Sequence, residues 1–328
     1  VSRWTGDTED REDGIGVRAG AEVRVGDGDD SAGAAEGRGA AWRVRLVVLA
    51  LVALALFVGL YFLAVQTGWG QRVDGAALSG RVFSRPRLRR ITYGVLRTIS
   101  VSALVLLGAA VVTIALVRGR VSRALVAVTV IAGANVSTQV LKHAVLPRPD
   151  LVAGPLGTRP TFPSGHTTVA MSLAVALVVV VGHRHRLLAG LAGAGYAAAV
   201  GGATLTAGWH RPSDVIGAYL VVVVWASLAT ALLAGPDGRP ADGRPGRGGV
   251  DDGIPLLAVV GVSLLGAAFA AAVAYAVARR SHELAAVDLR APYFAGLAAI
   301  AGSALLTMAA FLHALGRGFP STRRRPPR

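Results

Sequence analysis

The sequence predicts an all-α, polytopic membrane protein. Hydrophobic residues make up 53% of the chain and its mean hydropathy is +0.54, too apolar for an ordinary soluble domain. The apolar residues fall into runs near the length that crosses a bilayer, about 20 residues. Aromatics are only 6%, so Ala, Val, Leu and Gly supply the bulk, and Ala/Gly-rich stretches such as 187–203 suit close helix packing in lipid.

Taken in order, residues 1–41 are rich in Gly, Asp, Glu and Arg and are expected to form a disordered tail. Eight spans follow, at 44–66, 96–117, 123–142, 165–182, 187–207, 214–234, 254–278 and 291–315. The connections are short except 67–95 and the Gly/Pro/Asp-rich 235–253. The second of these marks an expected boundary between a six-span core, 42–234, and a two-span extension, 254–315, ending in a basic tail, 316–328.

The formal charge is +15 and the chain has no cysteine. The arginines are scattered between apolar runs, as beside an anionic membrane surface, so no nucleic-acid partner is expected. The lack of cysteine excludes disulfides and thiolate chemistry. Near-exclusive use of Arg, with abundant Ala, Gly and Val, suggests a GC-rich, bacterial genome. Loop arginines favour both termini in the cytoplasm and the loops after spans one, three and five outside, despite the basic 67–95 loop.

Lys142 is the only lysine among 34 basic residues. A compact ammonium and a planar guanidinium are not interchangeable at a tight anion site. Lys142 and Arg148 flank a proline-stiffened loop. Pro163-Ser164-Gly165-His166 opens the fourth span, where free backbone N–H groups suit a phosphate. His210 precedes Asp214 by four residues, a spacing that puts both on one helix face, with Pro212 in the first turn. The carboxylate would then hold the imidazole in one tautomer. Two crossings separate the Lys142–His166 segment from His210–Asp214, so all three clusters emerge on the same membrane face. Separately, a Ser-Gly-His cap or a His-x-x-x-Asp pair is more often structural. Their order and shared face favour a phosphate site with two histidines and no metal ligand set.

These motifs resemble those of the type 2 phosphatidic acid phosphatase (PAP2) family, which shares its site with bacterial acid phosphatases and vanadium haloperoxidases. The family pattern is Lys-x6-Arg-Pro, Pro-Ser-Gly-His and Ser-Arg-x5-His-x3-Asp, on a six-helix membrane core, and the resemblance covers about residues 44–234. It implies His210 as the nucleophile that forms a phosphohistidine, Asp214 as its orienting carboxylate and His166 as general acid. Lys142, Arg148, Ser164 and the Gly165 amide would hold the phosphate. No cofactor or metal is implied. The substrate would be a lipid phosphate or diphosphate monoester, reached from the bilayer at the extracytoplasmic face of the cell membrane.

Two departures stand out. Five residues, not six, separate Lys142 from Arg148, and the Ser-Arg pair falls on Ala203-Thr204. Arg211 is the candidate to compensate for the absent guanidinium. The alternatives are a degenerate member that binds phospholipid or phosphate with little turnover, and a membrane transporter or scaffold. His183 and His185 are expected in a loop on the opposite face. Asn135 and Gln139 are expected to bond between helices.

Overall fold

The computed structural model describes residues 27–84, 86–97, 101–153, 156–234, 250–278 and 289–316. All regular structure among them is helical. The helices are α1 (Asp27–Leu60), α2 (Gly68–Ser79), α3 (Pro86–Arg97), α4 (Val101–Val117), α5 (Val121–Val140), α6 (Gly165–Val180), α7 (His183–Thr206), α8 (Pro212–Leu233), α9 (Val250–Ala278) and α10 (Arg290–Leu315). Single π-helical turns extend α1 through Tyr61–Val65 and α5 through Leu141–Val145. The protein is therefore an all-α, membrane-integral chain.

Each expected span coincides with a helix. Six helices are long and apolar enough to cross a membrane, while α4 contributes a shorter apolar stretch, Leu104–Val117, as does α6, Gly165–Val180. Outward-facing side chains on α1 and α9, such as Leu51, Leu56, Val262 and Phe269, are exposed and apolar, as a hydrocarbon solvent requires.

Two differences from expectation concern the ends of spans. The expected tail reaches residue 41, yet α1 begins at Asp27. Ala34, Ala35, Ala40 and Ala41 are strong helix formers, and Asp29 and Asp30 suit the positive end of the helix dipole. Residues 1–26, most of the 235–253 loop and the basic tail after Gly316 lie outside the described residues. The 67–95 connection holds two helices. Thr67 caps α2 by accepting a hydrogen bond from the Gly70 amide at 2.9 Å. Gly70 then packs directly on backbone, since a Cβ there would lie 2.1 Å from the Leu63 carbonyl oxygen.

The core is built around α8, which α1, α5, α6 and α10 all touch. Val222, Ala226 and Tyr219 are buried at its centre. The Tyr219 hydroxyl donates to the Ala197 carbonyl oxygen at 2.9 Å, locking α8 to α7. Trp225 lies against Gly133, where a Cβ would stand 2.5 Å from the indole, and donates to the Ser137 hydroxyl at 2.9 Å. The last helix packs on this core as well as on α9. Gly296 lies under Pro212, the Tyr293 and Thr206 hydroxyls are 2.8 Å apart, and Trp42 of α1 donates to the Leu315 carbonyl oxygen at 3.1 Å.

Helix α6 is short. Its far end is level with the start of α5, because Arg120 donates to the Val180 carbonyl oxygen at 3.1 Å. From there α6 has only 16 residues, about 24 Å of helix against a hydrocarbon core of about 30 Å. By itself α6 is therefore shorter than a hydrocarbon core is thick.

Candidate active site

The N-terminus of α6, the end of α5 and the α7–α8 turn meet at one place. The Ser164 amide donates to the Asp214 carbonyl oxygen at 2.8 Å, which joins the second motif to the third. Ser164 caps α6: its hydroxyl lies 3.0 Å from that of Thr167 and accepts from the Thr167 amide at 3.4 Å. Its side chain is therefore engaged with its own helix. Gly165 follows as the first helical residue, and a Cβ there would lie 3.8 Å from the Lys142 Nζ and 3.2 Å from the Gln139 amide nitrogen. Lys142 sits in the π-turn that ends α5, so its ammonium reaches the α6 terminus despite the shortened spacing to Arg148.

Arg148 is 8% exposed, and its Nη1 is buried without a hydrogen-bond partner. Its loop is held by side chains that sequence reasoning did not assign. The Tyr61 hydroxyl and the Gln66 amide donate to the Pro147 carbonyl oxygen at 2.9 and 2.8 Å, and the Gln71 amide donates to that of Pro149 at 2.8 Å. Prolines carry no N–H to form a local ladder, so their carbonyls take donors from α1 and α2. Phe162 anchors the other end of the loop. It is buried, 5.2 Å from the Phe57 ring, and fills the space above Gly217. The Phe162–Pro163 peptide is cis.

The third motif is shaped by the turn before α8. The Trp209 and His210 amides both donate to the Thr204 carbonyl oxygen, at 2.9 and 3.3 Å. Gly208 has φ +78°, and a Cβ there would meet the Arg81 Nε at 2.6 Å. This fold-back brings the His210 ring to 6.3 Å from the His166 ring, centroid to centroid. Trp209 flanks His166 at 5.3 Å. His210 Nδ1 is 3.4 Å from Asp214 Oδ2, which also accepts the Arg211 amide at 2.9 Å. Asp214 is fully buried and its Oδ1 has no partner. With Nδ1 engaged, Nε2 is the ring nitrogen left for chemistry.

Arg211 is buried beside these groups. It donates to the Thr161 hydroxyl at 3.1 Å and the Gly157 carbonyl oxygen at 3.4 Å. Burial lowers its guanidinium pKa, the adjacent Arg148 lowers it further, and Asp214 and Asp74 oppose them. Thr204 is fully buried, with its hydroxyl bonded to the Gly201 carbonyl oxygen of its own helix, so it supplies no polar group to the site.

Asp74 of α2 is the residue the sequence hid. It accepts the Ser213 amide at 3.2 Å and a short hydrogen bond from the Ser213 hydroxyl. It thereby caps the first turn of α8 from outside. Burial, and then the charge of Asp214, raise its carboxyl from the ordinary 3.8 to about 6. The only signal in the sequence is one carboxylate in an apolar-flanked segment, too weak to assign.

His183 and His185, expected in a loop, instead lie exposed in the first turn of α7, at the end away from the site. Asn135 donates to the Ser172 hydroxyl at 3.2 Å, bridging α5 and α6. Among the described residues no cluster of His, Cys, Asp or Glu has a metal-binding arrangement.

A carboxylate-backed imidazole facing a second imidazole, beside a lysine, buried arginines and a helix N-terminus, is chemically equipped to receive a tetrahedral oxyanion. No curated protein and no solved structure matches the chain. Residues 123–235 match the model described as the PAP2 superfamily, and that segment carries Lys142, Arg148, Ser164, His166, His210 and Asp214. Over residues 123–235, this chain is similar to the PAP2 superfamily.

Proposed function

We propose that this chain is a membrane phosphatase that hydrolyses lipid phosphate or diphosphate monoesters through a phosphohistidine. The observation that carries the reading is the pair of imidazoles at 6.3 Å, one of them backed by the buried Asp214. In the first step His210 Nε2 attacks phosphorus, a P–N bond forms, and the P–O bond to the lipid breaks. His166 gives its proton to the departing oxygen. Asp214 stabilises the positive charge that the phosphorylated ring acquires. A water then attacks the phosphorus, gives a proton to His166, and releases phosphate and free His210. Lys142, Arg148 and the α6 amides hold the equatorial oxygens, the main task in phosphoryl transfer.

A lipid substrate class is supported by the setting of the site, among helices long and apolar enough to cross a membrane. The arginine distribution favours the extracytoplasmic side of the cell membrane for this end, despite the basic 67–95 loop.

The test is phosphate release from a panel of lipid phosphates and diphosphates by detergent-purified protein in EDTA. The expected result is activity in wild type and none in His210→Ala. Equal background release from both would refute the reading. Thr204 favours one second reading, a phosphate or phospholipid binder with little turnover, because it leaves position 204 without a cation. Binding without measurable hydrolysis would be its signature.

A further inference from the structure

Three cationic groups, Lys142, Arg148 and Arg211, lie near only two buried carboxylates, Asp214 and Asp74. Lys142 approaches the α6 N-terminus, itself an electropositive end. Arg148 and Arg211 are 8% and 3% exposed, and the charge of Arg148 acts on the Arg211 guanidinium. The two carboxylates nearby are committed elsewhere. Asp214 Oδ2 accepts from Arg211's backbone amide and His210, and both Asp74 oxygens accept from Ser213. The Asp214 carboxylate forms its ion pair with His210. Three cations against two carboxylates leave an excess of positive charge, and an anion between Arg148 and Arg211 relieves their repulsion.

The geometry points to Arg211 as the second guanidinium of the phosphate clamp, taken from the residue after His210 and not from position 204. This rests on the phosphatase reading above and adds to it a substrate-contacting residue. A guanidinium has five N–H donors. The contacts to Thr161 and Gly157 involve one each on Nη1 and Nη2, so three remain. These contacts orient the fork. They also tie the 156–161 segment to the start of α8, so that the loop carrying Arg148 and the turn carrying His210 close on the anion together. Arg148, with its partnerless buried Nη1, takes the other side. A guanidinium rooted next to His210 moves with the nucleophile, which makes an arginine at position 204 unnecessary.

The test measures affinity for inorganic phosphate by titration calorimetry on full-length, detergent-purified protein, beside lipid-phosphate hydrolysis. Wild type is compared with Arg148→Gln, Arg211→Gln, Arg211→Lys and Thr161→Val. Loss of a charge-assisted contact in either Gln variant is expected to weaken phosphate binding about tenfold or more. Arg211→Lys keeps the charge without the fork and is expected to fall between wild type and Arg211→Gln. Thr161→Val keeps the guanidinium but removes one tether, and is expected to stay within about threefold of wild type. A merely structural Arg211 would reverse that order, with Thr161→Val as damaging as Arg211→Gln. Wild-type phosphate affinity in a folded Arg211→Gln or Arg211→Lys protein, with Arg148→Gln impaired, overturns the assignment of Arg211 and leaves the phosphatase reading standing. Absence of both phosphate binding and hydrolysis in wild type overturns both.

Discussion

Replacing Asp214 by Asn isolates the electrostatic part of the proposed mechanism. The residue is fully buried, and Asn has the same shape. Its oxygen still accepts the Arg211 amide, now 2.9 Å away, and its NH2 takes the place of Oδ1, which has no partner to lose. The fold is therefore retained, while a negative charge 3.4 Å from the His210 ring disappears. Two unit charges at that distance attract by about 5 kcal/mol at an effective dielectric of about 20. That attraction applies fully only once the ring becomes cationic, so its loss falls on the transition state. At about 1.4 kcal/mol per decade, the rate of phosphohistidine formation falls by about 10³–10⁴-fold. The assay is single-turnover release of the lipid alcohol, with melting temperature and phosphate affinity as controls for folding. A folded Asp214→Asn protein within about tenfold of the wild-type rate would show that Asp214 does not support His210, and the proposed division of roles would fail.

Three further outcomes follow from the geometry. His166→Ala is expected to slow hydrolysis of alkyl phosphates by about 10²–10⁴-fold and to spare an aryl phosphate whose leaving oxygen needs no proton; equal loss on both, in rapid-quench assays, contradicts the general-acid role. Asp74 has a carboxyl raised by burial from 3.8 to about 6, so the stability it contributes is full below about pH 4 and is lost as pH rises through about 6, by up to about 3 kcal/mol. The wild-type melting temperature should accordingly fall relative to that of Asp74→Asn between pH 4 and 6, and parallel profiles would refute the assignment. Gly70→Ala places a Cβ 2.1 Å from the Leu63 carbonyl oxygen and should destabilise by about 1–3 kcal/mol or more, seen as a lower melting temperature; an unchanged one would mean that the α1–α2 junction yields freely.

The expected and observed architectures agree where the signal was hydropathy and differ where it was not. Every apolar run became a helix, because burying backbone polar groups in lipid allows a single segment little else. The 67–95 connection was opaque for the converse reason. Its helices α2 and α3 are short and polar, and their placement depends on neighbours such as the π-turn of α1 and the start of α8.

The sequence by itself located the spans and singled out His166, His210, Asp214, Lys142 and Arg148 as motif residues expected on one face, because periodicity and crossing number are local properties of the chain. Only the tertiary structure decided what surrounds them. Tyr61, Gln66 and Gln71 hold the proline carbonyls, Asp74 caps α8 from α2, Ser164 is spent on its own helix, and α10 supports the His210 turn through Tyr293 and Gly296. Each of these joins segments far apart in the chain. Their pairing is set by which buried donor lacks an acceptor once the helices pack, and no local pattern of residues records that.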